Sequence, residues 1–259
     1  MPDKDMERPV AIVTGGLQGL GLGIAQALIG GGFHVAIIDL PDNPVLPDAL
    51  ASAACRYYPM DIAQIDRHQP VLDAVAADFG RLDCLVNNAG IAARPLTDIL
   101  DLDAAAFDRS VEVNLRGSFF LTQSFANRLL ASGAADPPVY RSIITITSMA
   151  AEIVFTDRSQ YCVTKSALSM MTALFASRLA PDGIHVHEVR PGLMRTPMTA
   201  SAGNDTIERL LASGRVPIAR WGEAADVGRT VLALASGALP YMTGQPIWVA
   251  GGLNIPRIL

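Results

Sequence analysis

The sequence predicts an α/β fold: a single domain built on a doubly wound parallel sheet with helices on both faces. Three observations carry this. Short β-rich apolar runs alternate with helix-length segments from end to end, the order that buries a mostly parallel sheet between helices. The first apolar run stops at a Gly-rich turn that opens directly into a helical pattern. Half of the 259 residues are hydrophobic and 17% are charged, enough to fill one large core. Length alone allows one or two domains. No linker, fixed-period repeat or low-complexity tract divides the chain, so residues 1–259 are read as one unit.

The elements follow in order. Val10–Val13 is an apolar strand ending at the glycines, and Leu20–Ile29 is the first helix. Phe33–Ile38 is β-rich and stops at Asp39. Pro41, Pro44 and Pro47 then crowd the place where a second crossover helix would begin. A loop and a stunted helix over Asp48–Ala53 are expected there. Arg56–Met60 is a weaker strand, Ile65–Phe79 a helix, and Cys84–Val86 a strand that runs into Asn87-Asn88-Ala89-Gly90. Phe107–Leu130 reads as one long helix, Ser142–Ile146 as a buried strand and Ser159–Leu179 as a second long helix. Ile184–Val189 is a strand, Ala225–Ala235 a helix and Pro246–Val249 the last strand. Between them, Gly192–Trp221 is irregular apart from a short helix at Asp205–Ala212, and its length suits a lid over about 193–221.

Composition narrows the function classes. Lys and Arg total 20 against 25 Asp and Glu, a net charge of −5, with no basic stripe, so nucleic acid is not an expected partner. Mean hydropathy is high at +0.31. Yet charged or breaking residues interrupt every apolar run short of the roughly 18 needed to span a bilayer. No membrane association is expected, and extra apolar surface points to burial between subunits. The polar start, Met1–Pro9, lacks the apolar core of a secretion signal, so the cytoplasm is the default compartment. Cys55, Cys84 and Cys162 have no metal-ligand spacing, and neither do His34, His68, His185 and His187. His185 and His187 share a strand face, where a structural role is favoured over a ligand pair.

Three groups of residues carry chemistry. In Thr14-Gly15-Gly16-Leu17-Gln18-Gly19-Leu20-Gly21 the glycines let backbone approach a pyrophosphate, and the helix that follows points N–H groups at it. A lone turn of this kind is weak evidence; its place between strand and helix is the context a dinucleotide site requires. Asp39, ending the second strand, suits the ribose hydroxyls of NAD and repels the extra phosphate of NADP. NAD(H) is therefore favoured, with NADP(H) left open because Arg56 can fold back toward that phosphate. Asp61 and Ile62 follow the third strand, where they either contact adenine or start a helix. Tyr161 and Lys165 stand one helical turn apart, on one face. A free phenol keeps its proton until about pH 10. A neighbouring ammonium is expected to pull that value toward neutrality, fitting Tyr161 for general acid–base work.

Together these motifs resemble the short-chain dehydrogenase/reductase family over nearly the whole chain. They run in order: Thr14-Gly15-x-x-x-Gly19-x-Gly21, Asn87-Asn88-Ala89-Gly90, Asn114, Ser148, Tyr161-x-x-x-Lys165 and Pro191-Gly192. Within the family the chain is most similar to bacterial 3-oxoacyl-(acyl-carrier-protein) reductase-like proteins, through Arg190-Pro191-Gly192-Leu193, Arg220-Trp221-Gly222-Glu223, Thr243-Gly244-Gln245 and Gly251-Gly252. The resemblance implies a Rossmann-type fold and a catalytic tetrad of Asn114, Ser148, Tyr161 and Lys165. Asn114 would hold a water that relays protons to Lys165. Ser148 would bond the substrate oxygen, and Lys165 the nicotinamide ribose. Gln18 and Leu20 in the Gly-rich turn, and Gly90, would contact the cofactor, with Asn88 and Ala89 lining the adenosine-ribose side; Pro191, Gly192 and Thr196 would pack near the nicotinamide. Substrate would meet Ser148, Ala150, Tyr161 and Leu193, with Met149, Glu152, Val154, Phe155 and Met194 as further pocket candidates. The two long helices would pair across a two-fold axis, giving dimers that assemble into a tetramer, and the tail Leu253–Leu259 could seal a second interface. Two departures stand out: the proline-rich Leu40–Ala54 section, and Asp39, which disagrees with the NADPH preference expected of biosynthetic fatty-acid reductases. The expected reaction is hydride transfer between a nicotinamide and a carbonyl or secondary alcohol, on a small molecule such as an acyl thioester. A sugar or polyol dehydrogenase is the alternative. A non-catalytic dinucleotide sensor and a nucleotide-sugar epimerase or dehydratase are less favoured.

Overall fold

The computed structural model describes residues 8–42, 44–133, 139–197 and 204–256, with backbone alone for 204–206. The polar start, part of the segment expected to form a lid (198–203) and the end of the tail (257–259) lie outside the described residues. Seven strands form one sheet: β1 (Val10–Thr14), β2 (His34–Asp39), β3 (Cys55–Pro59), β4 (Cys84–Asn87), β5 (Arg141–Ile146), β6 (Ile184–Pro191) and β7 (Pro246–Val249). Their order is β3-β2-β1-β4-β5-β6-β7 and every pairing is parallel. The chain therefore reverses its winding between β1 and β4, and the carboxyl ends of all strands share one edge. In such sheets the crevice at that switch point is where ligands bind.

Alternation along the strands splits the core in two. Val10 and Ile12 of β1, with Ala36 and Ile38 of β2, face the helices α2 (His68–Phe79), α4 (Ser118–Ala131) and α5 (Ser159–Leu179). Ala11, Val13, Val35 and Ile37 face α1 (Gly19–Gly30) and α7 (Ala224–Ala235). Successive residues of a strand point to opposite faces, so runs apolar at every position are what a sheet covered on both sides requires.

Two elements differ from the sequence-based expectation. The stunted helix over Asp48–Ala53 is a single 3₁₀ turn, Asp48–Leu50, because the prolines before it deny it a first helical turn and only Leu50 finds the core. The single long helix Phe107–Leu130 is three joined pieces: α3 (Ala104–Ser110), a π turn over Val111–Gly117, and α4. Asp103 caps α3 by accepting from the Ala106 N–H. The widened turn lies where two loops grip the helix. Asn114 is bonded to Ile91, and Gly117 lies so close to Ile62 that a Cβ there would sit 2.7 Å from its carbonyl oxygen.

The segment after β6 leaves the sheet and returns to it. Its base is closed by Met194 and Gly222 as a parallel bridge, with Arg195 N–H donating to Gly222 and Gly222 N–H to Leu193. Beyond that base lies α6 (Asn204–Ala212). A small separate cluster of Leu211, Val216 and Trp221, joined by Leu193, Ile207 and Leu253, packs under it. Leu253 of the tail is thus used within the chain. No described helix is long and apolar enough to cross a membrane.

Candidate active site

The site residues gather at the carboxyl edge of the sheet, beside the switch point. At the Gly-rich turn Gly15 has φ +64°, a left-handed conformation that side chains disfavour. Gly21 is required by proximity, since a Cβ there would lie 2.0 Å from the Gly15 carbonyl oxygen. Thr14 anchors the turn to β4: its hydroxyl accepts from the N–H groups of Asn88 and Ala89, both at 3.0 Å, and donates to Val86. The Asn88 amide donates to the carbonyls of Thr14 and Gly15 at 2.9 and 3.0 Å. Asn88 is therefore committed to shaping the turn. Gln18, exposed, occupies the N-cap of α1, and its side chain makes no cap hydrogen bond to the first-turn N–H groups.

Asp39 closes the next strand. Its carboxylate accepts from Leu17 N–H at 3.2 Å and Leu40 N–H at 2.9 Å, which ties it to the Gly-rich turn. Arg56 does not fold back to it. That guanidinium pairs with Asp78 at 2.7 Å and lies over the Phe79 ring. Tyr57 instead reaches the backbone beside Asp39, donating to its carbonyl at 2.9 Å. Asp61 caps its own turn by accepting from Ala63 N–H and faces Arg109 at 3.6 Å; Ile62 is buried against the π turn. Thr196 and Pro197 cross to within 3.8 Å of a Cβ placed on Gly19, so the segment after β6 reaches the Gly-rich turn. Pro191 and Gly192 sit at the end of β6, with Gly192 N–H donating to Val249 at 3.0 Å. These features fit a dinucleotide: a glycine turn whose backbone a pyrophosphate can approach, a helix beginning at it and a carboxylate at the ribose position.

Ser148, Tyr161 and Lys165 come together on the other side of the crevice. Ser148 follows β5 and caps a 3₁₀ turn, accepting from Ala150 N–H at 3.1 Å, and its hydroxyl faces Tyr161 and favours the phenolate. Ala150 itself is folded under and buried. Lys165 is buried, donates to the Ile146 carbonyl at 2.9 Å and places Nζ 5.5 Å from the centre of the Tyr161 ring. Asn114 is fully buried: Oδ1 accepts from Ile91 N–H at 2.7 Å and Nδ2 donates to Ile91 O at 3.0 Å. Gly90 lies between the two, a Cβ on it falling 3.1 Å from Asn114 Oδ1 and 3.9 Å from Lys165 Nζ.

The electrostatics correct one expectation. Burial holds the Tyr161 phenol above its ordinary value, with the Ser148 hydrogen bond and, more weakly, the Arg158 charge pulling it down. Lys165 lies against the face of the ring and is itself desolvated, which pushes its ammonium down to about 8, with Glu188 working the other way. Among the pocket candidates, Glu152 and Val154 are exposed, whereas Met194 is buried and Leu193 joins the small cluster below α6. Cys162 rests on the Phe155 carbonyl at 3.7 Å, and Cys84 is a buried thiol pushed up to about 12. Among the described residues no group of three or more His, Cys, Asp or Glu is placed to hold a metal ion.

Sequence reasoning missed a buried ion pair beneath this cluster. Glu188 and Arg190 share one face of β6, 2.7 Å apart, and are 1% and 2% exposed. Opposite charges two apart in an apolar strand, hence on one buried face, were the available signal.

Comparison with known proteins agrees with this geometry. A sequence profile described as enoyl-(acyl carrier protein) reductase matches residues 15–254. A crystal structure of a 3-oxoacyl-[acyl-carrier protein] reductase from Brucella melitensis in complex with NAD superimposes with a TM-score of 0.91. It is 40% identical and covers 97% of this chain and 99% of its own. The 2-dehydro-3-deoxy-D-gluconate 5-dehydrogenase of Escherichia coli (strain K12) is 31% identical over 95% of this chain and 96% of its own length. L-xylulose reductase of Bos taurus is 34% identical over 93% and 95%.

Proposed function

The chain belongs to the short-chain dehydrogenase/reductase family, enzymes of alcohol and carbonyl groups, and on that premise we propose an NAD(H)-linked reductase of 3-oxoacyl thioesters. The observation that carries the reading is the grouping of Ser148, Tyr161 and Lys165 against the glycine turn that Asp39 braces. Bound along that crevice, NADH supplies the hydride that a carbonyl carbon takes up, or NAD accepts it from the alcohol. Thr14, Gly15, Gly19 and Gly21 shape the turn for the pyrophosphate, Asp39 accepts from ribose hydroxyls, and Asp61 and Ile62 border the adenine.

Ser148 donates to the substrate oxygen and steadies its developing charge. Tyr161 gives that oxygen a proton in reduction and takes one in oxidation. A phenol kept protonated by burial suits the reductive direction. Lys165, still mostly an ammonium at neutral pH, binds the nicotinamide ribose and favours the phenolate left after transfer. The side chain of Asn114 is engaged by Ile91 and by the Thr164 hydroxyl, so holding a relay water falls to its main chain in the π turn. Pro191, Gly192 and Thr196 flank the nicotinamide.

NAD preference rests on Asp39 and on Arg56 being turned away to Asp78. The related Brucella protein, a 3-oxoacyl reductase solved with NAD, supports pairing this cofactor with that substrate class. A second reading, a sugar-acid or polyol dehydrogenase, is favoured by exposed Glu152 near Ser148 and by the gluconate and xylulose relatives. The segment at about 193–221 acts as the substrate lid. Val163, Met170 and Leu174 form an exposed apolar stripe on α5, suited to a dimer that doubles into a tetramer. The cytoplasm is the compartment this reading expects. The test is a panel of acetoacetyl thioesters, alditols and sugar acids, each with NAD(H) and NADP(H). Turnover of alditols alone would transfer the assignment to the second reading; turnover of no carbonyl or alcohol would end both.

A further inference from the structure

The buried Glu188–Arg190 pair has no part in the chemistry just described. Removing two opposite charges from water this completely is expensive, and apolar residues of similar volume often stabilise as well or better. Such a pair therefore asks for a role other than stability. Its contacts supply one. Glu188 Oε1 accepts from the Thr147 hydroxyl at 2.6 Å, and Thr147 immediately precedes Ser148. Glu188 Oε2 accepts from the Ser169 hydroxyl at 2.7 Å, and Ser169 stands one turn beyond Lys165 on the same face of α5. Arg190 closes the arrangement, donating to Glu188 at 2.8 Å and to Ser169 at 2.9 Å. It also lies over the Trp248 ring at 4.9 Å and reaches Glu152, just past the turn that Ser148 caps.

We propose that Glu188 is a positioning residue: one carboxylate fixes the strand end carrying Ser148 against the helix turn carrying Lys165, and faces that lysine with a negative charge. Arg190 keeps the carboxylate in register from β6 and β7. The charged groups around Glu188 are Arg190 on its own strand, Lys165 from α5 and, beyond Arg190, Glu152. Besides Lys165, the ionisable neighbours of Tyr161 include Arg158 and Cys162. The inference rests on the reading of Tyr161 and Lys165 as the proton-handling pair, but its primary test needs no substrate.

The chain has two lysines, Lys4 and Lys165. Lysine-selective isotope labelling therefore gives two side-chain signals, and a Lys4→Arg background leaves Lys165 alone. Its titration midpoint is expected near 8 in the parent protein. Glu188→Gln should lower that midpoint by roughly one unit or more and cut turnover about tenfold, with the NADH Kd unchanged. A folded Glu188→Gln protein with the parent midpoint overturns the proposal. Should that variant unfold because Arg190 is left unpaired, the double variant Glu188→Leu with Arg190→Met removes both charges. It is expected to shift the lysine in the same direction, and a parent midpoint there overturns the proposal equally. Ser169→Ala removes the hydrogen bonds to Glu188 and from Arg190 but no charge; it should lower kcat several-fold while leaving the KM for NADH nearly unchanged. Parent kcat in Ser169→Ala removes the link to the helix from the proposal. Tyr161→Phe separates the two readings. Full activity in that variant sinks the chemical assignment, whereas an inactive Tyr161→Phe with an unmoved lysine in Glu188→Gln sinks the positioning role alone.

Discussion

The strands β5 and β6 carry a buried polar cluster at each end, and the two are chemically alike. At the carboxyl ends stand Ser148, Tyr161, Lys165, Glu188 and Arg190. Near the amino ends Tyr140 bonds His187 at 3.0 Å and stacks on His185 at 4.5 Å. Each holds a base that burial has shifted: Lys165 down to about 8 and His187 down to about 4. Perturbed titration is a common sign of function, yet these two clusters show that it does not suffice. The difference is position. The first faces the crevice beside the Gly-rich turn, within reach of a ligand; the second lies on the other face of the sheet, closed by its own aromatic partners and set back from the carboxyl edge where an open α/β sheet binds its ligands. In the second the low value records the cost of burying an imidazole, to which the neighbouring His185 adds.

Tyr161→Phe tests that contrast most severely. Turnover should fall by about 10²–10⁴-fold, the usual worth of a positioned acid–base group, with NADH affinity retained. Stopped-flow turnover and NADH fluorescence quenching measure the two effects separately, and an active variant would erase the distinction between the two ends. Gly21→Ala is next. A methyl placed 2.0 Å from the Gly15 carbonyl must displace the turn itself, so NADH should bind more than tenfold more weakly while unfolding changes less than binding. Calorimetric titration against thermal melts decides this. Asp39→Asn should be milder still: the ratio of NAD to NADP efficiency is expected to drop roughly tenfold as like-charge repulsion is relieved, with little change in kcat. An unchanged ratio would show that some other group reads the ribose.

How much of this was legible beforehand differs between the two ends and between scales. Strand positions came through to within a residue or two because β1, β2 and β4 are largely apolar on both faces, a pattern that a doubly covered sheet produces. The crevice was legible because Gly15, Gly21, Asp39, Tyr161 and Lys165 act through local turns and helical spacing. What failed depends on contacts between distant segments. The π turn at Val111–Gly117 coincides with the grip of Ile91 on Asn114, which no local pattern announces. The direction of the Tyr161 shift turned on burial outweighing a nearby charge, and on Lys165 lying against the ring face. Arg56 appeared free to reach Asp39 until Asp78 and Phe79 of α2 took it. Tyr140 and His187 are neighbours only because β5 and β6 lie side by side.

His187→Gln carries the smallest effect, and it tests the silent end. The folded chain keeps this imidazole neutral down to about pH 4, whereas the unfolded chain protonates it near 6.5. Between those values the unfolded state binds more protons, so stability rises with pH across the window and is lost as pH falls from 6.5 toward 4. A glutamine can still pair with the Tyr140 hydroxyl but does not titrate. The parent protein should therefore lose stability relative to the variant on acidification, by at most about 3 kcal/mol across the window. At pH 8 the two should differ by about 1 kcal/mol, the worth of one rearranged hydrogen bond. Thermal melts in that pH series measure it; for a chain of this size each kcal/mol moves Tm by roughly 2–4 °C. Turnover at pH 8 should be unchanged. A His187→Gln protein that melts with the parent's acid profile would place the destabilising proton elsewhere, and one that loses turnover would give the two ends of these strands a shared function.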